Sequence, residues 1–118
     1  GADFDFFRIG PDGLQVGTEE FKIPPKEVLV VTDVDWLISG GPPGEFHTLE
    51  LFIKNIAGGG RSGVFHSCIT LNDSGQGGIN EEMISGFVVS SEGKIEVQMD
   101  AHAGIQDRVI LRGYLHKE

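Results

Sequence analysis

Val28-Leu29-Val30-Val31-Thr32-Asp33-Val34-Asp35-Trp36-Leu37-Ile38 is the longest apolar-rich run in the chain, and its alternation decides the fold class. In an extended strand successive side chains point to opposite faces. Val28, Val30, Val34, Trp36 and Ile38 would therefore share one face with Thr32. Leu29, Val31, Asp33, Asp35 and Leu37 would share the other, which turns from apolar to acidic halfway along. No helical period fits the same residues. The segment predicts a strand with one core face and one mixed face.

Working outward, the same period recurs. Phe46 to Ile56 alternates with Leu49, Leu51 and Ile53 on one side and Thr48, Glu50 and Lys54 on the other. In Val64 to Leu71, Phe65, Ile69 and Leu71 oppose His66, Cys68 and Thr70. Ile95, Val97, Met99 and Ala101 alternate with Glu96, Gln98 and Asp100, and Val109 to Leu115 closes the series. Shorter candidates are Phe4 to Ile9, Leu14 to Val16, Glu20 to Ile23 and Phe87 to Val89. Ser90 to Lys94 has the length and the glycine of a hairpin loop. Glu81-Glu82-Met83 is the one place for a helical turn. Glycine and proline clusters separate the runs, as at Ser39-Gly40-Gly41-Pro42-Pro43-Gly44 and Gly58-Gly59-Gly60. The expectation is a single all-β domain spanning residues 1–118. It would be an antiparallel two-sheet β-sandwich, jelly-roll-like, with about eight or nine short strands.

The 118 residues carry a net charge of −9, with 9 basic against 18 acidic side chains. Such a surface repels phosphate, which argues against nucleic acid and anionic membranes as partners. The apolar runs are too short for a membrane-inserted helix. Cations and neutral ligands such as glycans stay compatible. Cys68 is the sole cysteine, so no intrachain disulfide forms.

Few constellations carry chemistry. Asp33 and Asp35 lie two apart on a strand, so their carboxylates point the same way about 7 Å apart. The favoured reading is a solvated acidic face and no cofactor, since exposed Asp is the norm; with loop oxygens the pair could instead hold Ca²⁺. Trp36 and Tyr114 are the aromatics for stacking on a sugar ring. Trp36 shares its face with the valines, which favours the core, whereas Tyr114 opposes Leu111 and Leu115 and points outward. His66 and Cys68 share a strand face but lack a third member to orient them as base and nucleophile. Gly58 to Gly63 lacks the Gly-Lys-Ser/Thr ending of a phosphate loop.

Two resemblances add to this reading. Pro42-Pro43-Gly44-Glu45-Phe46-His47 resembles the P-x-G-x-x-H core of the second cupin motif. That likeness implies a metal ligand at His47, but Leu51 stands where the motif expects Asn, and no upstream H-x-H supplies partners. Separately, Ile23-Pro24-Pro25-Lys26-Glu27-Val28-Leu29-Val30-Val31-Thr32-Asp33-Val34-Asp35-Trp36 is similar to a segment of small exported bacterial β-sandwich proteins. Ser85-Gly86-Phe87-Val88-Val89 and Leu111-Arg112-Gly113-Tyr114-Leu115 are similar to the same group. The resemblance implies a sandwich fold and a secreted, cell-surface or periplasmic location, and brings no catalytic residues.

Phe4, Phe6 and Phe7 give a terminal segment more apolar area than it can hide alone. Leu29, Val31 and Leu37 put apolar groups on the second face of the long strand. Together they predict a homo-oligomer in which residues 1–9 form an aromatic strand, packed on its own sheet or exchanged with a neighbouring subunit. The functional expectation is a non-enzymatic, self-associating structural or binding module. A carbohydrate-binding domain, Ca²⁺-assisted through Asp33 and Asp35, is the alternative; a degenerate cupin-like metalloprotein is the second.

Overall fold

A computed structural model describes residues 6–55, 58–100 and 104–118. Among them six strands form: β1 (Glu27–Ser39), β2 (Phe46–Asn55), β3 (Arg61–Thr70), β4 (Gly77–Ser90), β5 (Gly93–Met99) and β6 (Gln106–Lys117). They build two antiparallel three-stranded sheets, ordered β4-β1-β6 and β3-β2-β5. The domain is all-β, as its periodicity requires. The expected eight or nine strands and jelly-roll path are not what forms.

The reason is pairing. Ile9 makes only an isolated bridge to Gln15, and Glu20 to Ile23 finds no ladder partner, so neither run becomes a strand. Phe4 lies outside the described residues. Phe6 packs against the chain's own core with Ile23, and its carbonyl accepts a hydrogen bond from the Phe21 amide. Glu81 to Met83 forms strand rather than a helical turn, because β1 offers thirteen residues of partner edge. The preceding loop is confined to 71–76, where the Asn72 side chain accepts from the Ser74 and Gln76 amides. The turn at Ser91-Glu92 is a corner between layers and not a hairpin, since β4 pairs with β1 and β5 pairs with β2. Only β2 and β3 are sequential neighbours within a sheet.

The core lies between the layers. Val31, Val34, Trp36, Ile38, Phe87 and Val89 meet Leu49, Leu51, Ile69, Leu71, Ile95, Val97 and Met99. Trp36 is fully enclosed, and its indole Nε1 donates to Ser67 Oγ across the layers at 2.9 Å. That hydrogen bond satisfies the one polar group the ring carries.

One correction concerns β1. Val31 is 1% exposed and belongs to the core, and Leu29 packs against it. Both were expected on the opposite face from Val34 and Trp36. The register explains the change: Val31 pairs with Gly113, but Asp33 already pairs with Arg112, so Thr32 is an extra residue in β1. A bulge of this kind shifts the phase of alternation by one. Opposite β4, Val31 pairs with Phe87 and Asp33 with Glu82, leaving 83–86 as a detour. Inward residues are therefore Leu29 and Val31 before the bulge, and Val34, Trp36 and Ile38 after it.

The bulge presses the β1 backbone onto both neighbours. A Cβ at Gly113 would overlap the Val30 carbonyl oxygen, and one at Gly86 would overlap the Val31 carbonyl oxygen. Gly86 also has φ +69°, a conformation that disfavours any side chain. Gly113→Ala and Gly86→Ala should each cost about 2–4 kcal/mol of stability. Urea unfolding checks this, with Gly60→Ala, whose Cβ would meet no neighbour and whose backbone is not left-handed, as the milder comparison. A loss at Gly113 no greater than at Gly60 would contradict the bulge geometry.

Candidate functional site

Residues opposite each other in an antiparallel pair share a face, so the pairing gives the outer face of sheet β4-β1-β6 row by row. One end reads Ser90, Val28, His116 and then Val88, Val30, Tyr114. Past the bulge it reads Glu82, Asp33, Arg112, then Asn80, Asp35, Ile110, then Gly78, Leu37, Arg108. The bulge thus joins two surfaces of different chemistry: an apolar end and a charged band.

The apolar end is open. Tyr114 is 55% and Val88 54% exposed, flanking the half-buried Val30 and Val28. Ile84 stands wholly in solvent on the β4 detour. The outer face of the other sheet is different in kind. It carries Thr48, Glu50, His66, Gln98, Glu96, Lys54 and Lys94 around a single central aromatic, Phe52. The Arg61 guanidinium covers that ring at 4.1 Å from its centroid. Phe46 is exposed at the end of that sheet.

The charged band is internally paired. Arg112 Nη1 lies 3.3 Å from Asp33 Oδ2 and 3.4 Å from Asp35 Oδ2, so one guanidinium spans both carboxylates. Asn80 Nδ2 donates to Asp33 Oδ2 at 3.0 Å, and the Thr32 hydroxyl donates to Asp33 Oδ1 at 3.3 Å. The two aspartates point outward together as the sequence predicts. What sequence reading missed is Arg112, which stands where a cation would sit.

The other predicted positions scatter. Trp36 is enclosed and offers no stacking surface. Tyr114 is exposed on the same face as the aspartates. Leu37 is exposed on that face, separated from Val30 by the charged band. His47 is 1% exposed; its Nε2 lies 2.7 Å from Glu45 Oε1 and its Nδ1 3.5 Å from Asp100 Oδ1. Asp100 also accepts from the Thr48 amide at 3.0 Å. His47 is thus held between carboxylates at the start of β2. His66 lies on the outer face of the other sheet and His116 on β6, so these histidines do not converge on His47. No group of three or more His, Cys, Asp or Glu side chains placed to hold a metal occurs among the described residues. Cys68 is exposed on β3 beside Thr48.

At the chain start Phe7, Ile9, Leu14 and Val16 are exposed on the small turn closed by the Gly10 and Gly13 amides. Shallow, open depressions indent the surface. One is lined by Ile53, Asn55, Gly60, Ser62, Ser90 and Gly93, another by residues including Leu37, Ile38 and Asn72. Neither brings together groups of complementary chemistry. No family model, no curated protein and no solved structure matches the chain.

Because Arg112 spans the two carboxylates, millimolar Ca²⁺ should leave the melting temperature unchanged. Differential scanning calorimetry with and without the ion checks it. A rise of several degrees that disappears in Asp33→Asn would overturn this account of the acidic pair.

Proposed function

We propose that this chain is a non-enzymatic, self-associating binding module whose contact surface is the outer face of β4-β1-β6. The observation that carries the reading is the apolar row Val88-Val30-Tyr114 with Val28 beside it. An open, contiguous apolar patch on an otherwise acidic domain marks an interaction surface. Tyrosine suits such a place, since it brings a large apolar ring at small entropic cost together with a hydroxyl for the rim. The exported bacterial setting belongs to the same proposal and is supported only by the resemblance of the Ile23–Trp36, Ser85–Val89 and Leu111–Leu115 segments.

A glycan is the second occupant to consider. Tyr114 lies two residues along β6 from Arg112, with Asp33 in the next row and Asn80, bonded to Asp33, one row beyond. An exposed ring beside amide, carboxylate and guanidinium groups is the combination that stacks on a sugar and bonds its hydroxyls. The ion pairs within the band satisfy part of that hydrogen-bonding capacity already, which favours the protein partner.

Sedimentation velocity at tens of micromolar should give a mass above the 12.7 kDa of one chain. Val30→Asp should weaken that association by at least about tenfold, since it desolvates a charge in the patch. Raising NaCl from about 0.05 to 0.5 M should strengthen association of the wild type by screening its net charge. A monomer throughout would defeat the reading. Retention on immobilised neutral polysaccharide, lost in Tyr114→Ala, would select the glycan instead.

A further inference from the structure

Four strand edges bound the two sheets, and three of them are interrupted or short. β4 is broken by the 83–86 detour with its left-handed Gly86. β3 shifts register where Leu51 pairs with Phe65 and Phe52 with Gly63, leaving Val64 extra. β5 has seven residues. β6 differs: it has twelve residues, no proline and no extra residue of its own. Among the described residues its backbone bonds only to β1, and no described strand or loop pairs with its far edge. A long regular edge of this kind is a template for another strand.

We propose that two copies of the chain join along β6, antiparallel and two-fold related, with Arg112 opposite its own symmetry mate. The two β4-β1-β6 sheets then merge into one continuous sheet. The proposal rests on the self-association reading but uses a different surface, an edge instead of a face.

The sequence of β6 selects this register. Only pairings that set even-numbered residues against even-numbered ones keep both inner faces on the same side. Two of these overlap nearly the whole strand. Centred on Leu111, the pairing sets Asp107 against Leu115 and Val109 against Gly113. Centred on Arg112, it sets Asp107 against Lys117, Val109 against Leu115 and Ile110 against Tyr114, each pair occurring twice. The first register has one apolar match, Leu111 against its own mate, and no pair of opposite charge; the second has two apolar pairs and one pair of opposite charge, each made twice, with Arg108 facing His116. Like charge at the axis is avoided, because Asp33 and Asp35 draw each Arg112 guanidinium back over β1, away from the free edge. Tyr114, exposed within its own copy, gains an apolar cross-strand neighbour.

A charge-reversal cycle read by sedimentation tests this, with circular dichroism confirming a β-rich fold in every variant. Asp107→Lys and Lys117→Asp should each raise the dissociation constant by about tenfold, because two ion pairs per dimer become like-charge pairs. The double variant, Asp107→Lys with Lys117→Asp, restores the pairs with exchanged sign and should return to within about threefold of the wild type. Lys117 is exposed, so its substitution probes the edge without disturbing the core. Single reversals without effect, while Val30→Asp still weakens association, would overturn the edge contact and leave the face reading standing. Association broken by the reversals but not by Val30→Asp would support the edge and remove the face. A wild type that is monomeric at all concentrations would overturn both.

Discussion

The extra residue at Thr32 is the constraint on which the rest of the structure depends. A regular strand of the same sequence would put Val31 outside and leave the inner face to Val28 and Val30. With Thr32 inserted, the chain presents Leu29 and Val31 inward before the bulge and Val34, Trp36 and Ile38 after it, so the core stays apolar along all of β1. The outer face becomes the complement, two valines followed by two aspartates. Closing the ladder around the bulge brings the Val30 and Val31 carbonyls against both neighbours. That approach is possible only because Gly113 and Gly86 carry no side chain.

Much of this was legible, and the rest was hidden for a physical reason. The change from apolar to acidic along Leu29, Val31, Asp33 and Asp35 was visible as an oddity of one face. A phase slip is its simplest cause, with glycines in the partner strands as the second sign. Strand periodicity is a local property, so the runs in β1, β2, β3, β5 and β6 could be recognised, as could the enclosed Trp36 and the outward Tyr114. Register and partner are not local. Nothing within Ser85–Val89 says that its strand extends back to Gly77, because the extension depends on the length of β1. For the same reason Arg112 could not be assigned to Asp33 and Asp35, which are nearly eighty residues away in sequence. The N-terminal aromatics suit a strand by composition, yet among the described residues no edge pairs with Phe6 or Phe7, and Phe6 contributes to the core as a packed ring.

Several side chains that spacing offered as chemistry are engaged in holding the sandwich together. The Trp36 indole ties the two layers through Ser67. His47 sits between Glu45 and Asp100, linking the start of β2 to the loops on either side of it. Arg112 locks β6 to β1 beside the bulge, where backbone pairing is locally disrupted. The polar groups that remain outward on β3-β2-β5 are mixed in sign and interleaved, the composition of a solvated face.

The asymmetry between the two outer faces bears on how copies could meet. On β4-β1-β6 Val28, Val88, Val30 and Tyr114 make one apolar end, and the excess carboxylates, Asp33, Asp35 and Glu82, lie beyond the bulge with Ile110 and Leu37 among them. A stack that superposed two whole faces would set acid against acid and lose more to repulsion than the valines return. A two-fold axis through the neighbourhood of Val30 avoids this, because it overlaps the apolar ends while the acidic bands diverge. Edge pairing along β6 obeys the same rule by another route. It keeps each acidic band in the sheet plane with its own Arg112 as counter-charge, and it lengthens the apolar row through Ile110 of the second copy. Both proposed contacts would depend on the same slip at Thr32, which moved Val28 and Val30 outward and placed them in one surface with Tyr114.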